Sequence, residues 1–159
     1  MNTTQNLNIC LWFDNEAEQA ANFYTSIFKN SSIEHISRYG KEGFEFHGKP
    51  EGTVLTVSFK LNNMSFNALN GGPQFKFNES ISIVVNCDTQ EEIDHYWNHL
   101  TSEGGQESRC GWLKDKYGIS WQIIPTILGS LMSDPAKASK VMNAFLQMKK
   151  FDIATLVNA

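Results

Sequence analysis

Apolar and polar positions change period along the chain in the same order twice. NICLWF, residues 8–13, is a short apolar and aromatic run suited to a buried strand. It leads into DNEAEQAANFYTSIF, where Ala17, Ala20, Ala21, Tyr24 and Phe28 fall near helical spacing, with Asp14, Glu16 and Glu18 at the end where the helix dipole favours negative charge. SIEHISRY, TVLTVSFKL and MSFNALN then read as three strands, the last two joined by a tight turn at Asn62 and Asn63. The order is βαβββ.

The second half repeats the plan. SISIVVNC reads as a strand, and TQEEIDHYWNHL as a helix with Ile93, Tyr96, Trp97 and Leu100 on one side, closed by Gly104 and Gly105. Strands follow around ESRCGWLK and ISWQIIP, with Asp115 and Gly118 suited to the reversal between them. MSFN overlays ISWQ, so Asn67 corresponds to Gln122 and Phe66 to Trp121; Phe23 and Tyr24 fall on Tyr96 and Trp97, and Ile9 on Ser82. Two such modules are expected to curl around a cleft. In the tail, Ser133 or Asp134 is placed to cap a helix with Pro135 in its first turn and Val141, Met142, Phe145 and Met148 on one face. The expectation is one α+β domain over 1–159: module one over about 5–75, module two over about 78–126, and a helical tail over 127–159 that packs or stabilises a dimer.

Composition narrows the function classes. Hydrophobic residues make up 41% of the 159 positions and aromatics 12%, with no low-complexity tract, as in a folded globular chain. Net charge is −4 and no basic stripe is present, which argues against nucleic acid or an anionic membrane surface as partner. The start, MNTTQNLNICLWF, lacks a positive n-region, and no apolar run reaches the ~18 residues of a membrane span, so a cytoplasmic protein is expected. Cys10, Cys87 and Cys110 are odd in number and contain no CxxC pair, so free thiols are expected instead of a disulfide framework or zinc knuckle.

LWFDNEAEQAANFYTSIF, GGPQFKFNESIS, CDTQEEIDHYW, CGWLKDKYGISWQIIP and LQMKKFDIATL together resemble the PhnB-like branch of the vicinal oxygen chelate superfamily, which also carries the name 3-demethylubiquinone-9 3-methyltransferase. The resemblance spans nearly the whole chain. It implies the glyoxalase and bleomycin-resistance fold, in which two βαβββ modules form a U-shaped mixed-sheet cleft, commonly in homodimers. It also implies where the metal-dependent relatives hold a divalent ion: four side chains on the first and last strands of both modules, usually His and Glu. Those places here are Ile9, Asn67, Ser82 and Gln122, with Asn8 or Cys10 replacing Ile9 if the register moves by one. None of the four carries an imidazole or carboxylate, so a divalent ion is disfavoured and no cofactor is expected. The glycine pairs form no GxGxxG-like loop for a nucleoside cofactor, which gives the methyltransferase name no physical support.

The candidate ligand-binding set is Asn67, Ser82, Cys110, Trp112 and Gln122, with no metal and no assigned catalytic residue. The amides and the hydroxyl would orient a polar ligand, or they would satisfy one another. Trp112 would supply a cleft wall, whereas Trp121 should face the helix layer if Gln122 faces the cleft. Cys110 reads more readily as a small buried thiol than as a nucleophile activated by Arg109, since strand neighbours point to opposite faces. His95 and His99 lie four apart on a helix but lack a third ligand, and read as a solvated pair. His35 and His47 fall in a strand and a loop and say little, and Asp115 reads as a turn residue. Three functions stay open: a metal-independent small-molecule binder, an enzyme (lyase, isomerase or transferase), and a structural dimer module.

Overall fold

The computed structural model describes residues 7–159 and divides into two compact units, one running through Lys76 and the other from Phe77 to Ala159. The first two residues of the module expected from position 5 lie outside the described residues. In the first unit, β1 (Ile9–Phe13), α1 (Ala17–Ile27), β2 (Ser32–Arg38), the one-turn α2 (Phe44–His47), β3 (Val54–Leu61) and β4 (Met64–Asn70) build a four-stranded sheet of order β1-β4-β3-β2. Only β1 and β4 run parallel, because a helix carries the chain back between β1 and the following strands. Asn62 takes a left-handed φ of 51° at the β3–β4 turn, a conformation that asparagine tolerates well. Leu11, Phe13, Val57, Phe59, Phe66 and Ala68 alternate onto the face covered by α1, where Tyr24 stacks on Phe59 with centroids 6.2 Å apart.

The second unit repeats this topology and adds the tail. β5 (Ile83–Cys87), α3 (Gln90–Leu100), β6 (Gln106–Glu107), β7 (Trp112–Lys114) and β8 (Ser120–Pro125) form the sheet β5-β8-β7-β6, again parallel only at β5–β8. Thr89 caps α3, its side chain accepting from the Glu92 N–H. Trp97, Ile93 and Leu100 of α3 join Leu113, Trp121 and Ile123 in the core. Phe66 and Trp121 are 2% and 1% exposed, so the aromatic partners of the overlay occupy equivalent core positions in their units.

Three local expectations are corrected. The stretch ESRCGWLK is not continuous strand: Cys110 and Gly111 adopt φ of 57° and 80°, and their N–H groups turn away from the ladder to Met148 O and Lys149 O. Consecutive left-handed residues cannot continue a strand. In the tail, α4 (Ile127–Ser133) ends at Ser133 and Asp134 accepts from Ala136 N–H as the expected cap would, but a turn intervenes and regular helix α5 (Ala138–Gln147) starts later than expected. Val141 on α5 is buried, but Met142 stays 38% exposed. His47 lies in α2 instead of a loop, its ring 4.4 Å from that of Tyr39.

The tail belongs to the second unit's core. Phe151 and Leu156, the latter on α6 (Ile153–Val157), are fully buried, and Gln90 binds both the Phe151 carbonyl and the Ile153 N–H. Among the described residues no helix is long and apolar enough to cross a membrane.

Candidate functional site

The β7–β8 hairpin organises the second sheet around one buried carboxylate. Asp115, 3% exposed, accepts from Tyr117 N–H at 2.9 Å and Ile119 N–H at 3.0 Å through Oδ1, and from the Trp121 indole at 2.8 Å through Oδ2. With Gly118 at φ 88°, these bonds set the turn and draw Trp121 into the helix layer. Strand alternation then puts Gln122 on the far face of the sheet, turned away from the core. Asp115 is thus structural, in keeping with its reading as a turn residue.

On that far face Gln122 Nε2 donates to Ser82 Oγ at 2.8 Å, and Trp112 stands opposite Gln122 in the β7–β8 register. Ser82 lies one residue before β5, while Val84 is the residue paired with Gln122. In the first unit Cys10 is the residue paired with Asn67, so Ser82 is matched by Asn8 and not by Ile9. Ile9 lies on the core side of β1 by alternation, between the exposed Asn8 and Cys10. Asn67 has its own partner, accepting from Ser58 Oγ at 2.7 Å. Each unit therefore pairs a neutral amide with a hydroxyl.

A second row on the same far face escaped the sequence reading. Gln106, Lys114 and Ser120 face one another across β6, β7 and β8, next to the Trp112–Gln122 row. A cavity of about 390 Å³ opens there, lined by Glu79, Gln106, Ser108, Trp112, Lys114 and Ser120 among others. Lys114 makes an ion pair with Glu79, and the hydrogen bond from Lys114 holds the Glu79 carboxyl below the usual range. That attraction is complete above the ordinary glutamate pKa of ~4.3 and fades as pH falls through the depressed folded value, so the pair is intact at neutral pH. Ser120 is 1% exposed, and its Oγ meets no hydrogen-bond partner among the described residues. The signal that could have found this row was strand register, which needs the pairing.

The remaining candidates lie elsewhere. Cys110 sits in the turn before β7, its thiol 3.8 Å from the Phe145 carbonyl and its N–H on Met148 O, so its bonds run to the tail and not to Gln122. Trp97 and Trp121 are core residues with indoles held by Glu107 and Asp115, so neither is placed to meet a ligand. His95 and His99 are exposed on α3 with rings 4.4 Å apart. Among the described residues no three His, Cys, Asp or Glu side chains converge as a metal site would require. The amide and hydroxyl donors do not fit a divalent ion, since neutral oxygens offset its dehydration poorly.

The thiols differ in reactivity. Burial, then Glu92 and Asp88, push the Cys87 thiol up to about 12, and partial desolvation raises that of the exposed Cys10. Alkylation of the native protein at pH ~8 is expected to label Cys10 well before Cys87 in peptide mass maps, because the thiolate is the attacking species. Equal labelling rates would contradict the buried position of Cys87.

A model of the 3-demethylubiquinone-9 3-methyltransferase family matches residues 5–124. A PhnB protein from Bacillus cereus, itself described as a candidate 3-demethylubiquinone-9 3-methyltransferase, is 36% identical; the likeness covers 77% of this chain and 100% of that one at a TM-score of 0.67. A Pseudomonas aeruginosa protein is 17% identical over 77% of this chain and 98% of its own, with a TM-score of 0.60. The fosfomycin resistance protein FosX of Mesorhizobium loti is 11% identical over 77% and 92%, with a TM-score of 0.52. At the last two identities the likeness is one of fold alone. No curated protein matches the chain.

Proposed function

The chain belongs to the PhnB-like 3-demethylubiquinone-9 3-methyltransferase family, and on that premise we propose that it binds a small organic molecule on the far face of its second sheet, without a divalent ion. The observation that carries this reading is the Gln122 to Ser82 hydrogen bond beside Trp112 and the cavity. An amide and a hydroxyl orient a polar ligand by directional bonds, and an indole covers its apolar part. Neither is suited to replace the water shell of a divalent cation.

Native mass spectrometry with elemental analysis, on protein taken directly from cells, tests the proposal. A co-purifying small-molecule adduct with no stoichiometric divalent metal is the expected result. A stoichiometric metal ion bound more tightly than micromolar would remove it. Gln122→Ala is expected to weaken retention of the adduct about tenfold, the effect of one or two lost hydrogen bonds, while unfolding free energy stays within about 1 kcal/mol of the parent. Unchanged retention would move the site away from Gln122.

A reaction on the same face is the second reading, supported by the opposition of Lys114 and Ser120, whose hydroxyl has no partner among the described residues, in one cross-strand row. Methyl transfer from a nucleoside cofactor has no support in the strand-to-helix connections, which pass through Asp14, Asn15 and Glu16 in one unit and Asp88 and Thr89 in the other, with no glycine. A cytoplasmic homodimer completes the proposal: each sheet ends in edge strands that a second copy can cover. Light scattering at micromolar concentration is expected to give twice the chain mass.

A further inference from the structure

Four features of the cavity beside Trp112 bear on what enters it. First, Ser120 Oγ is buried and has no partner among the described residues, a costly state for a hydroxyl that an incoming acceptor or donor would relieve. Second, Lys114 and Ser120 are directly opposed in register and both line the cavity, so its wall holds an ammonium-bearing and a hydroxyl-bearing residue, two donor types suited to a carboxylate. Third, the Trp97, Trp121 and Trp12 indoles all donate to fixed acceptors, whereas the Trp112 indole N–H donates to none among the described residues. Trp112 therefore keeps both its indole N–H and its ring free for a ligand.

The fourth feature is an asymmetry within the ion pair. The Lys114 side chain is 34% exposed and that of Glu79 is 61% exposed. An entering anion that takes Lys114 releases Glu79 into water, where its carboxylate is fully hydrated. An entering cation that takes Glu79 would strand the more enclosed ammonium next to a second positive charge. Exchange is therefore easier for an anion. The other lining carboxylate, Glu107, does not compete for Lys114, because it is committed to the Trp97 indole at 2.9 Å and to Lys149 at 3.2 Å. At about 390 Å³ the cavity is at the small end of the ~300–1,000 Å³ range of ligand sites.

We infer that this cavity takes a small monoanion on a flat apolar body, of the aromatic carboxylate class, with Lys114 and Ser120 receiving the carboxylate, Trp112 covering the ring, and Glu79 occupying the anion's place beforehand. The inference rests on the reading of the far face as a binding surface. Ligand entry is an exchange of carboxylates on Lys114, with no bond made or broken.

The test is a titration of the full chain with benzoate, benzamide and benzylamine, following the Trp112 indole 15N–1H resonance. Benzoate is expected to saturate, benzamide to bind several-fold more weakly, and benzylamine not to bind. Lys114→Met should weaken benzoate about tenfold, and Glu79→Gln, which removes the competing carboxylate, should strengthen it several-fold. Glu79 is exposed enough for its variant to carry the test if Lys114→Met fails to fold. A Glu79→Gln variant that binds benzoate equally or less well overturns the inference. Equal binding of benzoate and benzamide, indifferent to Lys114→Met, removes the anion class while leaving the face a binding surface. No Trp112 shift with any of the three probes overturns the ligand class and the site together.

Discussion

Replacing Gly111 by alanine is expected to destabilise the second unit by about 3–5 kcal/mol, the larger share coming from close packing and the rest from backbone conformation. Gly111 has φ of 80°, where a Cβ costs ~1–2 kcal/mol. That Cβ would also meet Phe151 Cε2 at 2.5 Å and the Ile123 carbonyl oxygen at 2.8 Å. The carbonyl cannot step aside, because Ile123 N–H donates to Gly111 O at 2.8 Å and the two backbones are locked together. Phe151 is fully buried and stacks on Phe145 at 5.3 Å, so moving its ring would loosen the tail. Gly118→Ala is the internal comparison. Its φ is 88°, but the new Cβ would approach nothing closer than Phe77 Cβ at 3.9 Å, so only the conformational cost of ~1–2 kcal/mol applies. Urea unfolding followed by tryptophan fluorescence reads both variants, and equal losses would show that the close approach of the tail to Gly111 is not tight in solution.

The second large effect is expected at Asp115. Asp115→Ala leaves two backbone N–H groups and one buried indole N–H without acceptors, for a loss of about 3–5 kcal/mol. Asp115→Asn separates the contributions. Its carbonyl oxygen can take the place of Oδ1 and keep both backbone bonds, while its NH2 group faces the Trp121 N–H, donor against donor. The expected cost is about half that of the alanine variant. A shift in near-ultraviolet circular dichroism should accompany both, since Trp121 loses its anchor. If Asp115→Ala costs under about 1 kcal/mol, the carboxylate does not organise the hairpin, and the position of Gln122 must have another cause.

Legibility of the chain differed by the range over which its causes act. The doubled βαβββ order was readable because strand and helix periods are local properties: Leu11 and Phe13 alternate, and Ala17, Ala20, Ala21 and Tyr24 recur at helical spacing. Trp121 inward with Gln122 outward followed from alternation once one face was known. The strand expected through Cys110 failed for the opposite reason. The left-handed turn there is stabilised by carbonyls of Met148 and Lys149, almost forty positions away, and nothing in ESRCGWLK marks that dependence beyond the single glycine. The cap at Asp134 was legible, since it accepts from Ala136 N–H, whereas the turn that delays α5 to Ala138 was not.

The candidate site divides along the same line. Neutral amides at Asn67 and Gln122 were visible from the internal repeat. Their hydroxyl partners were half visible: Ser82 was named, but Ser58 was not, because it joins Asn67 only through the β3–β4 pairing. Lys114, Ser120 and Glu79 were invisible as a group. Residues in one cross-strand row are set by register, and register is settled by turn geometry and by which face is buried.

Sequence alone therefore determined the main strand and helix order, the repeat, the family and the facing of residues such as Trp121 and Gln122, since these depend on local period and residue chemistry. Only the tertiary structure decided which faces and rows come together. It set Gln122 on Ser82, left Ser120 buried beside Lys114 without a partner, and turned Cys110 toward the tail. Those outcomes depend on long-range pairing and packing, where the free energy of a side chain is fixed by neighbours far away in the chain.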